Sequence, residues 1–401
     1  MSAQQASDLI DRGVLGIYRF PMHSLDELLH PITPDVFRAD YEGRKPLHIP
    51  AEPGAPKRAI LDWAGFNRLL DQSSIWTSAS LKLVANGEPI PPEQYCVTTQ
   101  TQSGQVVRPS PAKVQTLLSL GASAIAGDVQ ALTPEFQTMS ALLGRTWAAL
   151  IGANIYCSFG GVQAFGTHFD LHDVFAIQTE GEKTWRLYQN RADSPIALPE
   201  DEPDLRGWFA RTRGPLMREV RMRPGDVLYL PRGWYHDALA TEGASLHVTF
   251  SVTPLYGRIL FSLLEGAALQ DPAFRAWLSP AAADGGRTLS AQLADLGRRL
   301  QALAALPEFR DEVAMAQERL IARPTSYALP TRRPLTLYRP TGLLAPRIEG
   351  PARVAIGWAM GQPSFALEDM IAQFDFVSEA AIREAVSFTE RAGALERVHK
   401  A

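Results

Sequence analysis

His168-Phe169-Asp170, answered 68 residues later by His236 at the end of Leu228-Tyr229-Leu230-Pro231-Arg232-Gly233-Trp234-Tyr235-His236, is the stretch whose reading decides the fold. Side chains alternate along an extended chain, so residues i and i+2 point the same way. His168 and Asp170 therefore converge on one point while Phe169 faces away. A third donor must come from a segment distant in sequence and near in space. His236 has the setting for that role. Arg223-Pro224-Gly225-Asp226 reads as a turn, Val227-Leu228-Tyr229-Leu230 as a short buried strand, Pro231-Arg232-Gly233 as a second turn, and Trp234-Tyr235-His236 as the start of the next strand. An H-x-D triplet alone often arises by chance as a surface histidine and a solvated aspartate; here the flanking residues give it meaning.

Two imidazoles and one carboxylate can occupy one face of an octahedral metal and leave the opposite face open, as in the facial triad of non-heme Fe(II) oxygenases. The bulk composition leaves that reading free. A chain of 401 residues is long enough for two or three domains. Its 46% hydrophobic and 20% charged content is ordinary for a globular protein. A net charge of -4 gives no overall bias toward nucleic acid or anionic membrane. The two cysteines, Cys96 and Cys157, make neither a disulfide framework nor a C-x-x-C zinc site, which fits a reducing cytoplasm. Met1 to Arg19 carries acidic residues and no long apolar run, so it does not read as a secretory signal. No uninterrupted apolar stretch reaches the length of a membrane span.

Between Ala153 and Thr253 the sequence breaks into short apolar runs separated by turns. Asn154 to Phe159, Val174 to Gln178, Thr184 to Tyr188 (joined to the previous run across Glu180-Gly181) and His247 to Ser251 all read as strands. With thirty prolines and thirty glycines in the chain, this indicates a sandwich or barrel, and a double-stranded β-helix is one such solution. Upstream, Thr33 caps a helix beginning at Pro34, and Arg44 to Ile49 reads as a strand. Hairpins are expected between Ser80 and Val107, turning at Asn86-Gly87 and Ser103-Gly104. Helices follow from Pro111 to Leu120 and from Thr133-Pro134-Glu135 to Leu143. Downstream, Tyr256 to Ala322 has helical spacing through Leu263, Phe274, Leu278, Leu293, Leu296 and Leu300, suited to a packed layer or a dimer interface. Pro324 to Gly350 reads as a linker. The tail reads as a strand at Val354 to Ala359 followed by two helices, one near Ala366 to Phe374 and one between the cap Ser378 and Gly393. That order is compatible with a small winged-helix unit. Its second helix carries Glu379, Arg383, Glu384, Glu390 and Arg391 and is not cationic, which argues against DNA binding.

Together, Asn154 to Tyr188 and Pro224 to Ser251 resemble the JmjC-type, cupin-fold 2-oxoglutarate oxygenases, and among them the ribosomal oxygenases, which hydroxylate ribosomal proteins. The resemblance is carried by Asn154-Ile155-Tyr156, His168-Phe169-Asp170, Asp173-Val174-Phe175, Gln178 and Gly181-Glu182-Lys183-Thr184-Trp185-Arg186-Leu187-Tyr188. Later it continues through Pro224-Gly225-Asp226, Leu228 to His236 and Ser245 to Ser251. Pro31-Ile32-Thr33-Pro34 and Lys45-Pro46-Leu47-His48-Ile49 look like the family's lead-in. The resemblance implies a mainly β core with α additions: a jelly-roll JmjC/cupin domain over 1–255, a helical dimerisation region over 256–330 and a winged-helix-like unit over 331–401. It assigns His168, Asp170 and His236 to Fe(II), and Lys183 to the far carboxylate of 2-oxoglutarate. Asn154 and Ser251 become further cosubstrate contacts, with dioxygen as the second cosubstrate. Read alone, Lys183 is a solvated lysine at a hairpin turn and Asn154 a strand-end residue bonded to backbone. Thr249 and His247 share the strand face of Ser251 and could substitute for it.

His172 is expected to line the pocket rather than act as a fourth ligand, because the metal must keep open positions. Tyr156 and Trp234 read as packing aromatics. The implied substrate is a ribosomal protein side chain, arginine or histidine, or another peptide. A homodimer in the cytoplasm is implied, with no membrane partner. The same chemistry on a small molecule or biosynthetic peptide is one alternative, and a non-catalytic cupin regulatory protein is another. A histone demethylase fits less well, since no zinc-binding cysteine module accompanies the core. Leu171-His172 stand where the ribosomal oxygenases of higher organisms carry acidic residues, which bears on the substrate rather than the metal.

Overall fold

Antiparallel pairing organises the first part of the chain, and side-chain alternation decides what each face of a strand meets. The computed structural model describes residues 24–52, 60–85, 87–159, 166–239, 243–321 and 335–398. The expected turn residue Asn86, the stretch from Met1 to Arg19, and residues 324–334 of the expected linker lie outside them. The chain divides into two compact units, one running through Thr253 and the other beginning at Pro254.

In the first unit the strands are β1 (Leu47–Ile49), β2 (Leu81–Ala85), β3 (Glu88–Pro89), β4 (Cys96–Thr101), β5 (Gly104–Pro109), β6 (Ser123–Ala126), β7 (Ala149–Phe159), β8 (Asp173–Glu180), β9 (Lys183–Arg191), β10 (Leu216–Met222), β11 (Val227–Leu230), β12 (Trp234–Leu239) and β13 (Ala244–Pro254). Eight of them form one sheet in the order β1-β11-β8-β13-β7-β6-β2-β3. A smaller sheet has the order β10-β9-β12, and β4 and β5 make a separate hairpin. This is the sheet-rich core expected of a jelly roll.

Both faces of the central strands are covered. Val174 and Ala176 of β8 and Leu228 and Leu230 of β11 pack against Trp185, Leu187, Val220 and Met222 of the smaller sheet. The alternate residues Phe175, Ile177, Val227 and Tyr229 turn to the other face. There Phe37, from the helix Pro34–Asp40, meets the Tyr229 ring edge-on at 4.8 Å. Trp147, at the end of the helix Pro134–Trp147, lies 5.6 Å from Phe175. Such double burial makes these strands read as continuous apolar runs rather than alternating ones.

Local chemistry starts the helices where the sequence places them. The Thr33 hydroxyl accepts from the Val36 amide at 3.3 Å, and the Thr133 hydroxyl from the Phe136 amide at 3.2 Å. The second helix continues past Leu143 to Trp147, ending at Ala148 in the left-handed region. Strand β7 starts at Ala149, five residues before the expected Asn154, because Ala149, Ile151 and Ala153 extend the buried alternation.

The second unit contains the helices Ile259–Ala268, Arg287–Ala304 and Pro307–Glu318, then β14 (Leu337–Pro340), β15 (Phe365–Ala366) and β16 (Leu395–Val398) in the order β15-β14-β16. The expected strand at Val354 to Ala359 is a helix, Ala352–Met360. Val354, Ile356 and Trp358 suggest a period of two. Ala352, Ala355, Ile356 and Ala359 also fall at helical spacing, and that set is the one buried. Small alanines on this face allow close packing against the helix Glu379–Arg391, whose Ile382 and Val386 share the same core. Ser378 caps that helix, accepting from the Ala381 amide at 3.2 Å. Among the described residues no helix is long and apolar enough to cross a membrane.

Val174 to Gln178 and Thr184 to Tyr188, expected as a pair, fall in different sheets: β8 pairs with β11 and β13, and β9 with β10 and β12. The tight connection between them turns at Gly181, whose φ of +60° lies in the left-handed region, and a Cβ there would stand 1.9 Å from the Ala244 carbonyl oxygen. Gly181→Ala should destabilise the protein by about 2 kcal/mol, through strain and displacement of β13. Urea unfolding midpoints of the two proteins check this.

Candidate metal centre

His168 belongs to no regular strand, yet it is held as if it did. Its amide donates to the His236 carbonyl at 2.9 Å and the His236 amide donates back at 2.8 Å, forming an isolated antiparallel bridge with the first residues of β12. One turn of pairing further on, the Gly233 amide donates to the Asp170 carbonyl at 2.9 Å. Phe169 points the opposite way, into an aromatic cluster with Tyr188, Phe209 and Tyr235. The extended geometry expected for His168-Phe169-Asp170 is therefore local and borrowed from β12 rather than part of a long strand.

The result is a group of three donors, His168, Asp170 and His236, whose ligand atoms all lie within 4.8 Å of one another. The His236 Nε2 stands 3.6 Å from an Asp170 carboxylate oxygen, and the two imidazole rings are 4.5 Å apart. Each histidine donates from Nδ1 to the backbone carbonyl two residues earlier, Gly166 and Trp234, both at 2.9 Å. Those bonds set the neutral tautomer in which Nε2 carries the lone pair that can bind a metal. Burial and the neighbouring His168 push His236 down to about 4, so it is neutral at physiological pH. Asp170 is ionised: burial opposes its charge, but the imidazoles of His236, His168 and His172 outweigh that and hold its carboxyl below the usual range. Neutral imidazole lone pairs beside a carboxylate suit a divalent cation. With no thiolate in the set, they suit Fe(II) rather than a structural zinc.

The cavity above the three donors lies between the two sheets, and its lining follows the period of two. It takes Asn154 and Tyr156 from β7, Val174 from β8, Lys183 and Trp185 from β9, His236 and Ala238 from β12, and His247, Thr249 and Ser251 from β13, with His168, Asp170 and His172. Every residue put forward from the sequence as a metal or cosubstrate contact opens onto this one space. Two antiparallel sheets thus enclose one cavity with three metal donors on its wall. Residues 129–258 match the JmjC domain. This chain carries a JmjC domain.

Ribosomal oxygenase 1 of Danio rerio is 27% identical over 258 residues, which are 62% of this chain and 45% of that protein. The protein of Drosophila willistoni named bifunctional lysine-specific demethylase and histidyl-hydroxylase NO66 is 39% identical over 124 residues, 30% of this chain and 15% of that one. The chain thus spans less than half the length of these relatives. Among solved structures, YcfD, a ribosomal oxygenase from Escherichia coli in complex with cobalt and 2-oxoglutarate, aligns over 92% of this chain and 99% of that one. It does so with 17% identity and a TM-score of 0.46.

Inside the JmjC domain buried polarity gathers on the cavity wall. Lys183 is only 3% exposed, and burial brings its ammonium down to about 8. Its Nζ donates at 3.5 Å to Ser158 Oγ and lies 6.0 Å above the Tyr156 ring. Tyr156 stacks on His247 at 4.8 Å, and its hydroxyl bonds with Asn154 and Thr249. The Ser251 hydroxyl is engaged with the β7 backbone, accepting from the Gly152 amide at 3.1 Å and donating to its carbonyl at 3.3 Å. Tyr156 is thus part of the cavity wall rather than packing alone. Trp234 is absent from the lining.

Trp185 was the lining residue the sequence could have disclosed, since it lies at i+2 from Lys183 on the same strand. Two buried nitrogens of the wall, Trp185 Nε1 and His247 Nδ1, have no hydrogen-bond partner among the described residues. A bound polar molecule would satisfy them. Behind the donors Thr167, Arg186, Tyr188, Arg213 and Asp237 make a polar cluster that no short-range sequence signal groups together.

Lys183 is retained at a cost. Its folded value lies below the unfolded one near 10.5, so the unliganded protein loses stability as pH falls from about 10.5 to about 8, and the loss then stays constant. Lys183→Met should raise stability at pH 7 by up to about 3 kcal/mol and abolish that dependence. Denaturant titrations between pH 7 and 10 measure both effects.

Proposed function

We propose that this protein is an Fe(II)- and 2-oxoglutarate-dependent oxygenase that hydroxylates an arginine or histidine side chain of a ribosomal protein. The convergence of His168, Asp170 and His236 on the wall of a cavity that the buried cation Lys183 also lines carries the reading. His168 and His236 would hold the metal through Nε2 and Asp170 through one carboxylate oxygen. Fe(II) with 2-oxoglutarate and dioxygen supplies, when bound, the oxidising power to place a hydroxyl on an unactivated C–H bond. Lys183 would pair with the far carboxylate of 2-oxoglutarate, since a buried anion needs a buried cation. Asn154 and Ser251 would flank that cosubstrate. Asn154 would act through the hydroxyl of Tyr156, and Ser251 by shaping the wall, because its own hydroxyl is engaged with backbone. The apolar layer of Val174, Leu228 and Leu230 would keep bulk water out of the core beneath the site. The curated relatives named as ribosomal oxygenases support the substrate class.

The domain plan follows the same line: a catalytic domain over 1–255, a helical region over 256–330 and a winged-helix-like unit over 331–401. Three helices and a three-stranded sheet in the tail support the last. Homodimerisation through the helical region is supported by unburied apolar side chains: Phe261 is 77% and Trp277 94% exposed, and the helix Arg287–Ala304 buries none of its leucines. Reduced, buried Cys96 and Cys157 suit the cytoplasm.

His168→Ala should abolish succinate production from 2-oxoglutarate while leaving the circular dichroism spectrum and the urea midpoint close to wild type. Wild-type protein loaded anaerobically and then exposed to oxygen with host ribosomes should add one oxygen to one ribosomal protein, read by peptide mass spectrometry. Succinate with unmodified ribosomes would instead point to a small molecule or biosynthetic peptide. In sedimentation equilibrium the protein should behave as a dimer, and Leu293→Glu with Leu300→Glu should give monomers.

A further inference from the structure

Asp237 follows His236 and Thr167 precedes His168, so the bridge that joins the two histidines also brings these neighbours together. Alternation places both on the face of the smaller sheet opposite the imidazoles. Asp237 is 1% exposed, and its carboxylate accepts from Arg186 Nε at 2.7 Å, from the Tyr188 hydroxyl at 2.6 Å and from Thr167 Oγ1 at 2.8 Å. Arg213 completes the group, donating to Thr167 Oγ1 at 2.9 Å and to the Tyr188 hydroxyl at 2.7 Å. Each hydroxyl thus accepts from Arg213 and donates to Asp237, so the network is internally satisfied.

A buried ion pair is weak ground for stability, because desolvation offsets much of its attraction. Satisfied buried networks do, however, restrict geometry. Geometry is what His168 needs, since no regular strand holds it and its place depends on one bridge. We propose that Asp237 and Thr167 form a clasp that sets the spacing of the His168 and His236 imidazoles, making both of them positioning residues for metal binding. The inference rests on the metal-centre reading above, and wild-type Co(II) binding tests that reading separately.

The experiment uses the full chain with Co(II) as probe, measuring affinity by calorimetry, the visible ligand-field spectrum and the urea midpoint. Thr167→Val removes one hydroxyl with little change of shape, and Thr167→Ser restores it. Thr167→Val and Asp237→Asn should each weaken Co(II) binding about tenfold and change the spectrum, with Thr167→Ser matching wild type in both. If Asp237→Asn fails to fold, the Thr167 pair decides the matter. Wild-type affinity and spectrum in folded Thr167→Val would overturn the clasp while leaving the metal centre standing. Absence of Co(II) binding by the wild type would overturn both.

Discussion

Two backbone hydrogen bonds between His168 and His236 are the interaction on which the rest of this site depends. They join a segment with no strand of its own to the start of β12, and they bring two imidazoles to within 4.5 Å of each other. Asp170 follows because the same pairing continues to Gly233. A facial set of donors needs this kind of closure. Two come from one short extended piece and the third from a strand far along the chain, and together they leave one face of a metal open.

The sheets make that closure possible by being buried on both sides. Strands β8 and β11 present Val174, Ala176, Leu228 and Leu230 to the smaller sheet and Phe175, Ile177, Val227 and Tyr229 to the layer containing Phe37 and Trp147. A wall sandwiched in this way has little freedom to shift, which holds the alternate residues of β7, β9 and β13 at the cavity. Where the cavity opens, the packing rules are broken. Lys183 is buried, His247 is held well below its ordinary value by burial, and Trp185 Nε1 has no partner among the described residues. Such concentrated local cost is characteristic of a site shaped for a ligand rather than for stability.

Much of this was legible in the linear chain because the relevant signals are short-range. Thr33-Pro34 and Thr133-Pro134 announce helix starts through capping and a fixed proline φ, and Gly181 announces a turn, though not that the strands it joins part into different sheets. Period-two alternation was enough to group His247 with Thr249 and Ser251, and the same rule places Trp185 beside Lys183. The same signal misled at Val354 to Ala359, where apolar residues satisfy both a strand and a helix period. Packing of Ala355, Ile356 and Ala359 in the tail's core decided for the helix.

By itself the sequence determined the donor types, the strand alternation that aims them and the turns that separate them, because these follow from side-chain chemistry and backbone sterics within a few residues. Tertiary structure alone decided which distant partners meet. Nothing in Thr167 or Asp237 indicates that they share a hydrogen bond across 70 residues, or that Arg213 seals it. Nor does the Ser251 codeword reveal that its hydroxyl is already engaged by Gly152. Such pairings depend on sheet order and register, and those are set by the summed burial of the whole domain rather than by any one segment.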